Sequence, residues 1–227
     1  MAGLLAFLRE AMTPLFSRRM LVPALLLTLL LTASNIVIVR NAPPAGASAL
    51  PPLFLAAAIV RVGGLLLFIV AIIRILAGSP RRPWMPDGAF WLSILAAIVL
   101  FAVSALIDFA VDGEKGALNA ILSGVLATLI VAPLAPWLVA LAAEKPLAWR
   151  PSPWFRNMRA WLPQLVFWAA LLIAPLGLVH AAIDHAVLEG IGDWFWPAML
   201  FDGPLSAAMV LLGFGINNAA YRRVARR

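Results

Sequence analysis

Six mostly apolar stretches, at 20–39, 53–77, 90–111, 117–143, 161–183 and 197–219, each reach the roughly 20 helical residues that a hydrocarbon core requires. A chain of 227 residues cannot hide that much apolar surface inside a soluble globule. The hydrophobic fraction is 64% and the charged fraction 12%, against about 45–50% and about 25% in a soluble domain. Lipid is therefore the solvent for much of the chain. The expected fold is all-α: a polytopic bundle of six transmembrane helices over 20–219, preceded by an amphipathic interfacial segment at 1–19 and followed by a basic tail at 220–227.

Two of the six stretches carry marks of irregularity. The fifth contains Pro163, Pro175 and Gly177, which predicts a kink near Pro175. The sixth is crossed near one end by Asp202-Gly203-Pro204, so its continuous helix is expected to begin only at Pro204, a favourable first-turn residue.

The basic residues orient the bundle. Arg9, Arg18, Arg19, Arg74, Arg81, Arg82, Lys145, Arg150, Arg156, Arg159 and the four arginines from Arg222 onward fall on one side if all six stretches span. The opposite side holds only Arg40 and Lys115, and Arg61 sits inside a span. Lysine and arginine accumulate on the cytoplasmic side of membranes, so both termini are expected in the cytoplasm. Asp108, Asp112, Glu114, Asp184, Glu189, Asp193 and Asp202 gather at or near the outer face. The net charge of +7 thus reads as a topology signal and an attraction to anionic headgroups. No aromatic–basic module accompanies it, so nucleic acid is not an expected partner. Of the 17 basic residues only Lys115 and Lys145 are lysines, a bias that points to a GC-rich bacterial genome and hence to a multi-pass protein of a bacterial inner membrane. Ala45-Gly46-Ala47 resembles a signal-peptide cleavage site, but the apolar run at 21–39 exceeds the usual 7–15 residues of a signal core. The first stretch is therefore read as a retained span.

Residues 2–17 mix apolar residues with Arg9 and Glu10 and then meet Arg18 and Arg19, as in a helix lying on the inner leaflet. The loop from Lys145 to Trp161 alternates aromatics with arginines. Trp149, Arg150, Trp154, Arg156 and Trp161 are read as interfacial anchors, and Trp194, Phe195 and Trp196 as the matching outer belt. Small residues at four-residue spacing (Ala120, Gly124 and Thr128; Gly215 and Ala219) suit close helix packing.

Charges inside spans are expensive and point to function or to buried pairing. Arg61 is the deepest. Asp108 and Asp202 lie in the same leaflet, within reach of an arginine directed outward. The expectation is an intramembrane ion pair or ligand site built from Arg61, Asp108 and Asp202. Gly63 and Gly64 leave room beside it for another backbone or a ligand. A second cluster holds the only histidines. His180 and Asp184 are four apart and share a helix face, a spacing that can chelate a metal, while His185 points away. They are the candidate metal ligands, but the expectation is solvated interfacial groups with no metal and no cofactor.

With no Cys in the chain, disulfides and thiolate chemistry are excluded. Two histidines on one helix end cannot build a four-histidine diheme scaffold. Leu122-Ser123-Gly124-Val125 lacks the Gly-x-Ser-Gly of rhomboid-like proteases, and no paired glutamates suit a CAAX-type protease. Arg150-Pro151-Ser152-Pro153 is not the Pro-Ser-Gly-His of lipid phosphatases, nor has Asp112-Gly113-Glu114 the spaced aspartates of alcohol phosphatidyltransferases. Asn35, Gln164, Asn217 and Asn218 read as interhelical hydrogen-bond partners. The leading expectation is a non-catalytic inner-membrane protein: a subunit or accessory factor of a membrane complex, or a small transport or lipid-handling component, with lipids and other subunits as partners. The alternatives are a permease or substrate-binding membrane subunit driven by a separate ATPase, and a metal-dependent membrane hydrolase around His180 and Asp184. Substrate and oligomeric state are not encoded in any motif.

Overall fold

The computed structural model describes residues 2–43, 49–111, 130, 134–143, 151–158 and 160–225, and among these every regular element is helical. In chain order they are α1 (Ala2–Phe16), α2 (Leu21–Arg40), α3 (Pro52–Ala77), α4 (Gly88–Val111), α5 (Ala135–Ala142), α6 (Pro151–Met158), α7 (Leu162–Leu172), α8 (Ala174–Glu189) and α9 (Phe195–Ala225). Single 3-10 turns occupy Arg18–Met20 and Gly192–Trp194.

Five segments among the described residues are long and apolar enough to cross a membrane: Arg18–Arg40, Pro52–Ala77, Gly88–Ile107, Leu162–Val187 and Gly192–Ala225. They coincide with five of the six expected stretches. The sixth, at 117–143, falls largely outside the described residues, which include only 130 and 134–143 of it. Leu21, Val22, Leu25 and Leu29 of α2, Phe101, Leu106 and Phe109 of α4, and Leu178 of α8 stand exposed. A water-soluble monomer rarely shows such continuous apolar surface; lipid accounts for it.

The bundle is built around its last helix. In α9, 56% of the most apolar window is buried, against 28% or less in the other four segments. Its apolar partners come from α1, α3, α4, α5 and α7 (Phe7, Val70, Ile73, Phe90, Leu141 and Trp168) around Ile216, Ala219 and Val224. A second cluster joins Met20, Leu27 and Leu31 to Ile72, Leu76 and Leu211. It sets the start of α2 beside the end of α3, so the two run antiparallel.

The fifth stretch breaks where proline predicts. Helix α7 ends at Leu172 and α8 starts at Ala174, a break at Ile173 two residues before Pro175. Pro175 has no N–H to donate to the Leu171 carbonyl and its ring crowds that carbonyl, so one rung of the ladder is missing although Ile173 keeps helical backbone angles. The expectation for the sixth stretch needs correcting. Helix α9 runs unbroken from Phe195 through Asp202, Gly203 and Pro204. Proline is tolerated in a membrane helix where neighbouring helices pack against the gap it leaves, and Gly203 permits that packing. A Cβ there would lie 1.7 Å from the Thr32 hydroxyl oxygen and 3.0 Å from the Thr32 Cα. Glycine thus lets α2 and α9 cross backbone to backbone, whereas the sequence suggests a breaker.

One end of the bundle collects the arginines. Arg74, in the last turn of α3, is buried with 1% of its surface exposed. Its Nε donates to the Ala142 carbonyl at 3.3 Å, its Nη1 to the carbonyls of Met85 at 2.8 Å and Arg82 at 3.3 Å, and its Nη2 to Asp87 Oδ1 at 2.5 Å. Asp87 Oδ1 also accepts the Phe90 amide at 2.8 Å, capping the start of α4. Burial pushes the Asp87 carboxyl up, but the Phe90 amide and Arg74 outweigh it and leave its pKa below the ordinary 3.8. The α3–α4 loop is therefore folded around a single cation.

Helix α1 is docked at the same end. Phe7 and Ala11 are fully buried, while Leu5 and Phe16 are exposed. A Cβ on Gly215 would lie 1.9 Å from the Ala11 carbonyl oxygen, so α1 and α9 also touch along their backbones. Arg223 donates to Glu10 at 2.8 Å and lies over the Phe7 and Trp161 rings at 4.7 and 5.7 Å. Arg222 donates to the Leu76 carbonyl at 2.7 Å, satisfying a free carbonyl at the end of α3. At the opposite end Arg40 lies over Trp196 and Phe195, at 4.4 and 5.0 Å.

Candidate functional site

Four helices bring polar groups to one layer of the bundle. Asn35 lies five residues before the end of α2, Arg61 nine residues into α3, His180 nine and Asp184 five residues before the end of α8, and Asp202 seven residues into α9. At 1.5 Å per residue these are depths of about 8–14 Å from the helix ends opposite the arginine cluster. The close α2–α9 crossing at Thr32 and Gly203 sets Asn35 against Asp202, one turn along from the contact.

The groups form one chain of contacts. Arg61 Nη1 donates to Asn35 Oδ1, and Asn35 Nδ2 donates to Asp202 Oδ2 at 2.5 Å. The other carboxylate oxygen, Asp202 Oδ1, meets His180 Nδ1 at 2.5 Å. The far ring nitrogen, His180 Nε2, faces Asp184 Oδ2 at 3.5 Å. Asp202 has no exposed surface and Asn35 4%, whereas 24% of the His180 and 44% of the Asp184 side chain is exposed. The chain thus leads from a wholly enclosed carboxylate to an open one. Arg61 pulls electron density from the Asn35 amide oxygen, which makes the amide N–H a stronger donor toward Asp202. The guanidinium is therefore linked to Asp202 at one remove.

His180, Asp184 and Asp202 offer ligand atoms that all lie within 4.8 Å of one another, enough to consider a metal. Zinc takes nitrogen and oxygen at about 2.0–2.2 Å, and donors around one ion then stand roughly 3.3 Å apart. Both Asp202 oxygens instead have a nitrogen partner at 2.5 Å, too close for two donors around one ion, so they read as hydrogen-bonded neighbours. Only the gap between His180 Nε2 and Asp184 has ligand spacing.

Two clusters that are separate along the sequence, one around Arg61 and one around His180, are therefore one site with Asp202 between them. Arg61 reaches Asp202 through Asn35 rather than directly. Asp108 lies near the end of α4, with its side chain outside the described residues. His185 turns away and faces Glu189 at 3.3 Å. Gly64 is occupied by the Leu30 side chain, and Gly63 faces open space. Among the expected anchors, Trp149 and Arg150 lie outside the described residues, as does the Trp154 side chain. Arg156 is exposed on α6, and Trp161 packs under Arg223. Asn35 carries the site, yet as a residue its only signal is an amide inside an apolar span. Arg74 is likewise indistinguishable in sequence from the other basic-end arginines.

Among the described residues, the fold and site are those of an all-helical protein with five segments long and apolar enough to cross a membrane and a chain of polar contacts running between four helices. No family model matches the chain, and no curated protein or solved structure matches it either.

Proposed function

We propose that the chain is a small transport component of a bacterial inner membrane, with Asp202 and His180 forming a site that takes up and releases one proton from the outer side. The observation that carries this reading is Asp202: a carboxylate with no exposed surface, inside a helix long and apolar enough to span. Ionisable groups at such depth are costly, and in transport proteins they form proton relays. The charged groups facing the site are Arg61 behind Asn35, His180, and Asp184 beyond it. Two carboxylates against one guanidinium leave one negative charge, which a single proton shared by His180 and its aspartates neutralises. The exposed Asp184 offers the route by which the proton exchanges with water.

Proteoliposomes on a solid-supported membrane, given a pH step on the outer face, test the idea. A charge-displacement transient is expected for the wild type, is lost in Asp202→Asn and His180→Gln, and is retained in Trp194→Ala. Equal transients in all four proteins would reduce the site to a structural network.

The same proposal includes topology. The chain crosses six times with both termini and the arginine-rich end in the cytoplasm, α1 lies at the inner leaflet, and the basic loops are drawn to anionic headgroups. The uneven distribution of arginine supports this. Reporter fusions after residues 46, 114 and 190 should read as outside, and those after 84, 152 and 227 as cytoplasmic. A cytoplasmic reading at 190 would remove a span or reverse the second half.

A further inference from the structure

The α3–α4 loop encloses an open cradle of about 620 Å³, lined by Pro80, Arg81, Arg82, Trp84, Met85 and Pro86. Its walls differ in chemistry. Trp84 and Met85 are about 45% exposed, and Trp84 is steadied by an edge-on contact with Phe68 at 5.1 Å. Arg81 and Arg82 are exposed, and Arg81 reaches toward Asp87 at 3.9 Å. Arg74, Arg81 and Arg82 outnumber the one carboxylate of the loop, Asp87, which sets basic side chains at the rim of an apolar cradle.

The loop is also preformed. Arg74 holds the carbonyls of Arg82 and Met85 from inside, and this fixes the backbone on both sides of Trp84. A ligand then meets a surface that is already ordered, which spares it the ordering cost of binding. Because α3 and α4 are both long enough to span, the short loop between them lies at headgroup depth. There the molecule that presents an anion attached to apolar chains is the lipid itself.

We infer that this cradle is a binding site for one anionic phospholipid, with its phosphate on Arg81 and Arg82 and its glycerol and upper acyl carbons on Trp84 and Met85. The site is independent of the Asp202 reading, since it lies at the other end of the bundle.

Purified full-length protein in a zwitterionic detergent, titrated with phosphatidylglycerol, tests it by native mass spectrometry and by thermal midpoint. A saturable first adduct with a rise in midpoint is expected. Arg81→Gln and Arg82→Gln should each weaken that adduct about fivefold, the factor that one basic residue contributes near an anionic surface. Trp84→Ala should weaken it too, while Arg40→Gln, an exposed arginine at the opposite end of the bundle, should leave it unchanged. Inorganic phosphate should give no rise. Three outcomes overturn the site: undiminished binding in both loop variants, an equal loss in Arg40→Gln that marks diffuse attraction, or saturation by phosphate alone. The loop arginines are exposed, and unchanged midpoints without lipid will show that the variants fold.

Discussion

Replacing Asp202 with alanine is expected to destabilise the detergent-solubilised protein by on the order of 3–5 kcal/mol, the usual result of removing one side of a buried charged pair. The carboxylate has no exposed surface and accepts from Asn35 while it meets His180, each at 2.5 Å. Its loss strands the amide, the imidazole and, behind Asn35, the Arg61 guanidinium. Asn35→Ala in the Asp202→Ala background should then cost less than it does in the wild type. That difference, about 0.5–3 kcal/mol for contacting residues, is the coupling a double-mutant cycle reads. Reversible unfolding in mixed micelles gives both numbers. A loss below about 1 kcal/mol with no coupling, on a scale where typical single substitutions cost 0.5–3 kcal/mol, would mean that Asp202 is hydrated and the chain of contacts is not formed.

Arg74→Met should have an effect of similar size at the other end of the bundle, about 3–5 kcal/mol. Methionine can fill the space of the stem, but it leaves three carbonyls and the Asp87 carboxylate without their donor. A pH dependence accompanies it. The Asp87 pKa is depressed in the folded protein, so the unfolded chain takes up a proton first as the solution is acidified. The stability from this pair is complete above the ordinary carboxylate value of 3.8 and is lost as pH falls through the lower folded value. The gap between wild type and Arg74→Met should therefore be wide at neutral pH and narrow below about pH 4. A gap that stays constant down to pH 2 would contradict the Arg74–Asp87 pairing.

The spans are legible in the sequence because lipid imposes a simple rule. A helix that satisfies its own backbone needs only sufficient apolar length, and that length can be read from residues without knowing their neighbours. Accordingly 53–77 and 90–111 fall within a few residues of α3 and α4. The break at Ile173 is legible for the same local reason, since it follows from the chemistry of Pro175. What failed was an inference that depended on a neighbour. Gly203-Pro204 looks like an interruption in isolation and becomes a helix crossing once Thr32 is opposite. The site failed in the same way. Arg61 and Asp202 stand out as charges at depth, and His180 and Asp184 as a polar pair at a helix end, but their convergence depends on helix order and rotation, and no period in the sequence records these. Asn35 is legible as an interhelical partner, but the residue it meets lies 167 positions away, and nothing in the sequence names it. Arg74 is obscured for the opposite reason: the surplus of arginines that reveals the topology also conceals the one that is buried.

The contact between Ala11 and Gly215 also fixes an order of events. The groove that receives α1 is formed by residues near the far end of the chain, together with Val224 and Arg223. During synthesis α1 emerges long before that groove exists, with Phe7 and Ala11 uncovered until α9 has been inserted. Chains are built from the N-terminal side and expose apolar surface until their partners arrive. Docking of α1 is therefore a closing step of assembly, and a ribosome stalled before Gly215 would leave a helix that a quality-control protease can recognise as unfinished.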